Sequence, residues 1–141
     1  MTGVCIEKIA PVRTDDPQGN VFELFKGKPG LQVTVFERKA GVVCGKHFHK
    51  GTDPSKDPEY LFLISGECRV HAYNGFTDET LEKIVSAGTL LTFEKGIYHE
   101  LEALTDIIFL EYRSTVFDPE YSDTFLREEY DNYIHTTKTS A

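Results

Sequence analysis

The stretch GVVCGKHFHKGTDPSKDPEYLFLISG, residues Gly41 to Gly66, decides the fold because it combines strand-like sequence with two histidines and a glutamate. His47 and His49 are separated by one residue, and Glu59 follows them. In an extended strand, residues i and i+2 point to the same face, so the two imidazoles can converge on one point. The carboxylate must then come from a neighbouring strand.

A second stretch, GTLLTFEKGIYHELEA (Gly88 to Ala103), adds a third imidazole, that of His99. Three imidazoles and one carboxylate form a ligand set suited to a borderline divalent metal. A His-x-His pair alone is more often two surface or hydrogen-bonded side chains. Two ordered stretches with their glycines favour a metal site instead.

Four glycines flank the two stretches at regular distances: Gly41, Gly66, Gly88 and Gly96. With these glycines, the stretches resemble the two motifs of the cupin superfamily, whose fold is the RmlC-like jelly roll. The resemblance implies an all-β fold, the double-stranded β-helix or cupin jelly-roll barrel. It also implies one divalent metal ion (Zn, Fe, Ni or Mn) held by His47, His49, Glu59 and His99.

The chain departs from the cupin pattern at three points. The gap from His49 to Glu59 is longer than usual, Glu94 stands where the second motif has proline, and Ala103 stands where it has asparagine.

The longer gap is the segment KGTDPSKDP (50–58), whose composition makes turns and resists strand pairing. Asp53 or Asp57 in this segment could supply the carboxylate ligand in place of Glu59. The spacing from Glu59 to Gly66 matches the motif and favours Glu59.

Seven short segments rich in β-branched and aromatic residues alternate with turn signals. They are Val21–Phe25, Leu31–Arg38, Tyr60–Ile64, Cys68–Tyr73, Leu81–Val85, Thr89–Phe93 and Ile107–Tyr112. Many short strands at even spacing predict a sandwich or barrel, in agreement with the jelly roll. We expect a single domain over residues 1–141 with its β core at about 20–113.

The C-terminal segment has helical spacing instead. Apolar residues recur at helical intervals from Phe117 to Ile134. Asp118 is a candidate N-cap, and Pro119 suits the first helical position. The sequence predicts a helix over about 117–135, packed on the outside of the barrel or on a partner subunit, and a disordered tail after His135.

Charge and composition exclude several classes of partner. A net charge of −8 and a pI near 5.1 repel phosphate backbones, so we expect no nucleic acid. No apolar run is long enough to cross a bilayer, and the N-terminus lacks the apolar core of a secretory signal. We expect a cytoplasmic protein without a membrane partner. The apolar run Val4–Ile9 and the terminal helix predict a homodimer.

Strand alternation separates the other reactive side chains from the ligand set. Cys5, Cys44 and Cys68 show no C-x-x-C spacing and are expected to be small buried hydrophobes. Alternation puts Cys44 on the face opposite the histidine pair unless the chain bulges at Gly45. The same alternation directs His71 away from the core, so we do not expect it to be a ligand.

A weaker resemblance covers most of the chain. The order of GNVFELF, HFHK, GIYHE and the acidic ending VFDPEYSDTFLREEYDNYI is similar to that in the sugar-nucleotide ketoisomerases and epimerases, which act on dTDP-4-keto-6-deoxyhexoses. In those enzymes, cavity histidines move protons at a carbon next to a ketone. The resemblance implies a small-molecule substrate and catalytic roles for His47 and His49.

Two differences from the ketoisomerases keep further functions open. The segment QVTVFERKAG (32–41) lacks the tyrosine that those enzymes have upstream of their histidine pair, and Glu59 stands near their glutamine. A carboxylate in place of an amide favours a cation in the cavity. The sequence is therefore also compatible with a metal-dependent (iron) dioxygenase or lyase acting on a small acid, and with a non-catalytic small-molecule sensor.

Overall fold

The computed structural model describes residues 1–140, so Ala141 of the expected domain lies outside the described residues. The strands are β1 (Val4–Lys8), β2 (Gln32–Arg38), β3 (Val43–Phe48), β4 (Glu59–Ser65), β5 (Glu67–Asn74), β6 (Glu79–Ser86), β7 (Thr89–Phe93), β8 (Ile97–Ala103), β9 (Ile107–Arg113) and β10 (Phe125–Leu126). Two short 3-10 helices (Pro54–Lys56 and Pro119–Tyr121) and the helix α1 (Arg127–Thr139) complete the fold. No helix within residues 1–140 is long and apolar enough to cross a membrane.

The strands form two five-stranded antiparallel sheets. The first has the order β1-β7-β4-β9-β2, and the second has the order β10-β3-β8-β5-β6. The mostly β fold with a C-terminal helix is confirmed. The sequence predicts a closed barrel. In the described part of the chain, no strand pairing joins the two sheets, so the fold consists of two packed sheets instead.

The core lies between the sheets because most strands direct buried apolar side chains towards the opposite sheet. Leu63, Leu91 and Phe93 of the first sheet belong to the same buried cluster as Val70 and Leu101 of the second. Burying such side chains stabilises the fold by roughly 1.5–3 kcal/mol each. The sheets thereby bring β3 and β8 close to the start of β4.

The C-terminal helix begins later than predicted. It starts at Arg127, so the predicted start at 117 is wrong. Asp118 does act as a cap, but of the preceding 3-10 helix, where its side chain accepts a hydrogen bond from the backbone of Glu120. The chain then pairs as β10 with β3, and this backbone pairing keeps it extended until α1 begins. The helix continues to Thr139, so the disorder expected after His135 is wrong for residues 136–139. Ala141, the last residue of that tail, lies outside the described residues.

One predicted strand is absent from the described residues. Val21 in the segment Val21–Phe25 makes only an isolated bridge with Arg13. Phe25 has a φ of +56°, which is incompatible with an extended strand. Its ring stacks on Tyr112 with centroids 4.6 Å apart, so the aromatic residue covers the sheet rather than extending it.

Candidate metal centre

Four side chains from different parts of the fold converge at one point. His47 lies on β3 and His49 directly after it, His99 lies on β8, and Glu59 is the first residue of β4. Each offers one possible ligand atom, and these atoms all lie within 4.8 Å of one another. The structure brings together the four residues that the sequence predicts as ligands.

A bulge in β3 shapes this group. His47 pairs with His99 across the two strands, and the register shifts between Gly45 and His47. Gly45 has a φ of +81°, and a Cβ there would lie 3.0 Å from the carbonyl oxygen of His99. The bulge also overturns the expected alternation, because Cys44 lines the same cavity as His47. Burial raises the pKa of the Cys44 thiol.

Backbone carbonyls fix the orientation of two imidazoles. His49 Nδ1 lies 2.6 Å from the carbonyl oxygen of Asp123, and His99 Nδ1 lies 3.1 Å from that of Ile97. A carbonyl only accepts, so each Nδ1 carries a proton and each ring directs its Nε2 into the site. Backbone carbonyls orient metal-binding histidines in the same way.

The two Nε2 atoms face the carboxylate of Glu59. His49 Nε2 lies 3.1 Å from Oε2 of Glu59, and His99 Nε2 lies 3.2 Å from Oε1. Within residues 1–140, both nitrogens are buried without a hydrogen-bond partner. Lone pairs that face carboxylate oxygens repel unless a cation or a proton lies between them, so this donor set fits a divalent metal.

The protonation states also suit a cation. Burial, followed by the neighbouring His99 and His49, lowers the pKa of His47 to about 3, so this ring is neutral at ordinary pH. Burial by itself raises the pKa of Glu59, but the adjacent His49, His99 and Lys56 outweigh it and hold the pKa well below its usual value. The centre therefore contains an ionised carboxylate beside the neutral ring of His47.

Lys56 extends the centre into a buried charge network. Its Nζ contacts the carboxylates of Glu59 and Glu111. Burial lowers the pKa of Lys56, but the two carboxylates raise it by more, so the amine stays charged. Next to it, Arg113 lies 3.3 Å from Glu111 and also binds Asp53.

The segment 50–58, which is an insertion relative to the usual motif spacing, has a structural role that the sequence does not reveal. Asp123 accepts hydrogen bonds from the backbone N–H groups of Lys50, Gly51 and Asp53 at 2.8, 2.8 and 3.2 Å. This fixes the insertion against the segment before β10. The insertion can then direct Lys56 into the site, with its side chain almost completely buried.

Asp53 and Asp57, the two carboxylates that could have replaced Glu59, lie elsewhere. Asp53 binds Arg113 and caps the 3-10 helix of the insertion, and Asp57 lies 3.3 Å from Lys95 near the surface. Neither belongs to the group of possible ligands, whereas Glu59 does.

His71 lies away from the centre. It is exposed and pairs with Glu82, as its strand parity predicts.

Sequence reasoning missed Lys56, Glu111, Arg113 and Asp123. One signal was available on β9, where Ile107, Phe109, Glu111 and Arg113 all alternate inward and are all buried. Two charged residues at inward positions of an apolar strand indicate a buried polar site.

The centre opens into a cavity of about 360 Å³ between the sheets. Its wall has an apolar part, with Phe36, Leu101 and Phe109, and a charged part that includes Lys56 and Arg113. A cavity of this size holds a small organic molecule.

We expect metal-free protein to lose stability below neutral pH because of His47. The unfolded chain takes up a proton at this histidine near pH 6.5, whereas the folded chain does so only near pH 3. Between these values the unfolded state binds more protons, so stability falls as the pH falls. After a discount for partial solvent screening, the loss reaches about 2 kcal/mol by pH 4.5.

Urea unfolding in a chelating buffer at about pH 7.5 and 4.5 measures this loss. Wild type should lose about 2 kcal/mol more than His47→Gln between the two pH values, since glutamine does not titrate. Equal losses in the two proteins would contradict the prediction.

A family model described as the polysaccharide biosynthesis C-terminal domain matches residues 14–125. The chain belongs to this family. The matched region contains all four candidate ligands and the insertion, so the centre lies within the polysaccharide biosynthesis C-terminal domain. No curated protein matches the chain.

Among solved structures, this member of the polysaccharide biosynthesis C-terminal domain family is similar to the capsular polysaccharide assembling protein CapF from Staphylococcus aureus. The identity is 28% and the TM-score 0.57, over 70% of this chain and 26% of CapF. The chain therefore spans about a quarter of the length of CapF.

Two smaller enzymes match nearly the whole domain. A mutant of the 3,4-ketoisomerase QdtA from Thermoanaerobacterium thermosaccharolyticum, in complex with TDP-4-keto-6-deoxyglucose, has 16% identity and a TM-score of 0.72 over 99% of this chain and 96% of QdtA. The 3,5-epimerase RmlC from Legionella pneumophila, in complex with dTDP-4-keto-L-rhamnose, has 18% identity and a TM-score of 0.69 over 89% of this chain and 73% of RmlC. At these identities the likeness establishes the fold, and the RmlC-like jelly roll predicted from the motifs is confirmed.

Proposed function

We propose that this protein is a metal-dependent isomerase or epimerase that acts on the keto sugar of a sugar nucleotide. The observation that carries the proposal is the convergence of His47, His49, His99 and the ionised Glu59 at one point, where all but His49 line a cavity. The family description refers to polysaccharide biosynthesis, and the two whole-domain neighbours act on or bind 4-keto sugars attached to a nucleotide.

The residues present fit a divalent ion. The two unpartnered Nε2 atoms and Glu59 would hold it, together with His47. A divalent ion there would polarise the ketone oxygen and so acidify the neighbouring C–H bond. Zinc, iron, nickel and manganese all accept such ligands, so the donor set does not distinguish between them.

The cavity residues support proton transfer next to a ketone. The carboxylate of Glu111, which also lines the cavity, would accept this proton. Negative charge then develops on the ketone oxygen, and the charged Lys56 on the cavity wall can stabilise that charge by donating a hydrogen bond. Phe36 and Phe109 line the apolar part of the cavity, which suits the methyl group of a 6-deoxy sugar.

The sequence predicts that His49 is both a metal ligand and a catalytic residue that moves a proton, and these two roles exclude each other. Its Nδ1–H binds the carbonyl of Asp123, so only the Nε2 lone pair remains available. One lone pair cannot coordinate a metal and accept a proton at the same time. In the metal-bound enzyme, His49 is therefore a ligand rather than a base.

The test follows hydrogen exchange at the carbon next to the ketone. Purified protein is assayed for metal content and then incubated in D₂O with TDP-4-keto-6-deoxyglucose, with deuterium incorporation followed by NMR. We expect exchange that a chelator abolishes and the metal restores. Protein that contains metal but exchanges no proton of the sugar would contradict the proposal.

A metal-free proton-transfer enzyme is the second candidate. The observation in its favour is Lys56, which already supplies a positive charge to Glu59. In that enzyme the neutral His47 would be the base that faces the cavity. Exchange that persists in protein without metal would support this candidate over the first.

The iron dioxygenase or lyase and the small-molecule sensor remain predictions. Bound iron with oxygen uptake on a small acid would indicate the dioxygenase, and ligand binding without turnover would indicate the sensor.

The homodimer also remains a prediction. Val4 and Ile6 pack against the core of their own chain, so they do not favour a partner. A sedimentation mass of twice 16.0 kDa would support the dimer.

A further inference from the structure

Lys56 is shared between two buried carboxylates. Its Nζ lies 2.5 Å from Oε2 of Glu111 and also contacts Oε2 of Glu59. All three side chains are at most 10% exposed, so solvent screens these contacts weakly. The lysine thus has two acidic partners within reach.

The position of Lys56 conflicts with full coordination of a metal. The Oε2 atom of Glu59 that contacts Lys56 is also the one that lies 3.1 Å from His49 Nε2. A divalent ion held between these two atoms would lie close to the ammonium group. Two such cations repel strongly in a poorly screened site.

The surrounding charges provide a second position for the ammonium. Three carboxylates, those of Asp53, Glu59 and Glu111, share the two cations Lys56 and Arg113, which leaves one negative charge unbalanced. If a metal neutralised Glu59, Lys56 would still have Glu111. If no metal were bound, Lys56 would keep the buried Glu59 from being unpaired, which is costly.

We propose that Lys56 is a built-in competitor for Glu59, which it releases in favour of Glu111 when a divalent metal binds. This inference rests on the proposed metal site. It assigns a role to the insertion 50–58, since the 3-10 helix capped by Asp53 directs this lysine into the centre. Lys56 then lowers the metal affinity of the site and stabilises the metal-free protein.

Zinc affinity of three proteins tests the competition. Zn²⁺ alone is titrated against a chelator of known affinity, with wild type, Lys56→Met and Glu111→Gln. Lys56→Met should bind zinc at least roughly tenfold more tightly because the competing charge is gone. Glu111→Gln should bind it several-fold more weakly because Lys56 then has Glu59 as its only carboxylate.

Lys95→Met is the matched control. Lys95 is also next to the insertion and pairs with Asp57 at 3.3 Å, but its side chain is 57% exposed and does not reach Glu59. The zinc affinity of Lys95→Met should equal that of wild type. A tenfold gain in this variant as well would show a general effect of charge and overturn the competition.

The metal-free and zinc-loaded crystal structures of wild type give a second readout that does not depend on the variants folding. Lys56 should contact Glu59 without zinc and only Glu111 with zinc. Two results would overturn the inference but leave the metal site intact. One is that wild type and Lys56→Met bind zinc with the same affinity. The other is a zinc-loaded structure in which Lys56 still contacts Glu59. No zinc binding by any of the proteins overturns both.

Discussion

Replacing His47 and His49 together with alanine should abolish metal binding. Wild-type protein is expected to hold about one divalent ion per chain, and the double variant close to none, because two of four ligands are lost. Loss of even a supporting residue around a metal costs about 10–100-fold in affinity, so loss of two ligands should cost more. Mass spectrometry of metals in protein dialysed against trace zinc measures the stoichiometry.

His71→Ala is the control for this experiment. His71 is exposed on β5 and pairs with Glu82 at 3.3 Å, so its removal should leave the bound metal unchanged. The double variant must also retain the wild-type circular dichroism spectrum, which excludes loss of metal through unfolding. Full stoichiometry in the folded double variant would refute the metal centre.

Replacing Tyr130 with alanine should be the most destabilising single change on the helix. Tyr130 is 0% exposed, and its ring lies 4.9 Å from that of Phe48. Its hydroxyl accepts a hydrogen bond from Gly75 N at 2.9 Å and lies 2.7 Å from the carbonyl oxygen of Gly96. Loss of the buried ring and of these bonds should lower the free energy of unfolding by about 3–5 kcal/mol.

Urea denaturation measures this loss, and two variants separate its causes. Tyr130→Phe keeps the ring and should cost about 1–3 kcal/mol for the unsatisfied Gly75 N–H. Tyr121→Ala removes a tyrosine that is 78% exposed and should change stability by less than about 0.5 kcal/mol. A cost below about 1 kcal/mol for Tyr130→Ala would mean that α1 does not hold the second sheet.

Tyr130 also connects the helix to the candidate centre. It packs on Phe48, which lies between His47 and His49 in the chain and points to the opposite side of the sheet. The strand β10, which leads into α1, pairs with the same part of β3. We therefore expect helix and metal centre to respond together when Tyr130 is removed.

Local periodicity explains why much of the fold could be predicted from sequence. In Cys68–Tyr73, for example, buried apolar residues alternate with more exposed polar ones, and this alternation is visible in the residues themselves. Glycine positions were equally informative. Gly66 has a φ of +88°, and a Cβ there would lie 2.3 Å from the carbonyl oxygen of Asp106, so the turn excludes other residues.

The same periodicity was misleading where a segment had two possible structures. Residues 117–126 have helical spacing, but β3 offers its edge to β10, and the hydrogen bonds of that pairing exist only in the folded chain. Cys44 shows the same limit, because one bulge at Gly45 reverses the face on which it lies.

By itself, the sequence determined the mostly β fold and the identity of the four converging residues, because His-x-His parity and motif spacing are local properties of the chain. Only the tertiary structure decided what surrounds Glu59. Lys56 comes from the insertion, while Glu111 lies on β9 and Asp123 before β10. Lys56 and Glu111 are 55 residues apart in the chain, so their contact depends on how sheets and loops pack, and no periodicity in the sequence encodes that packing.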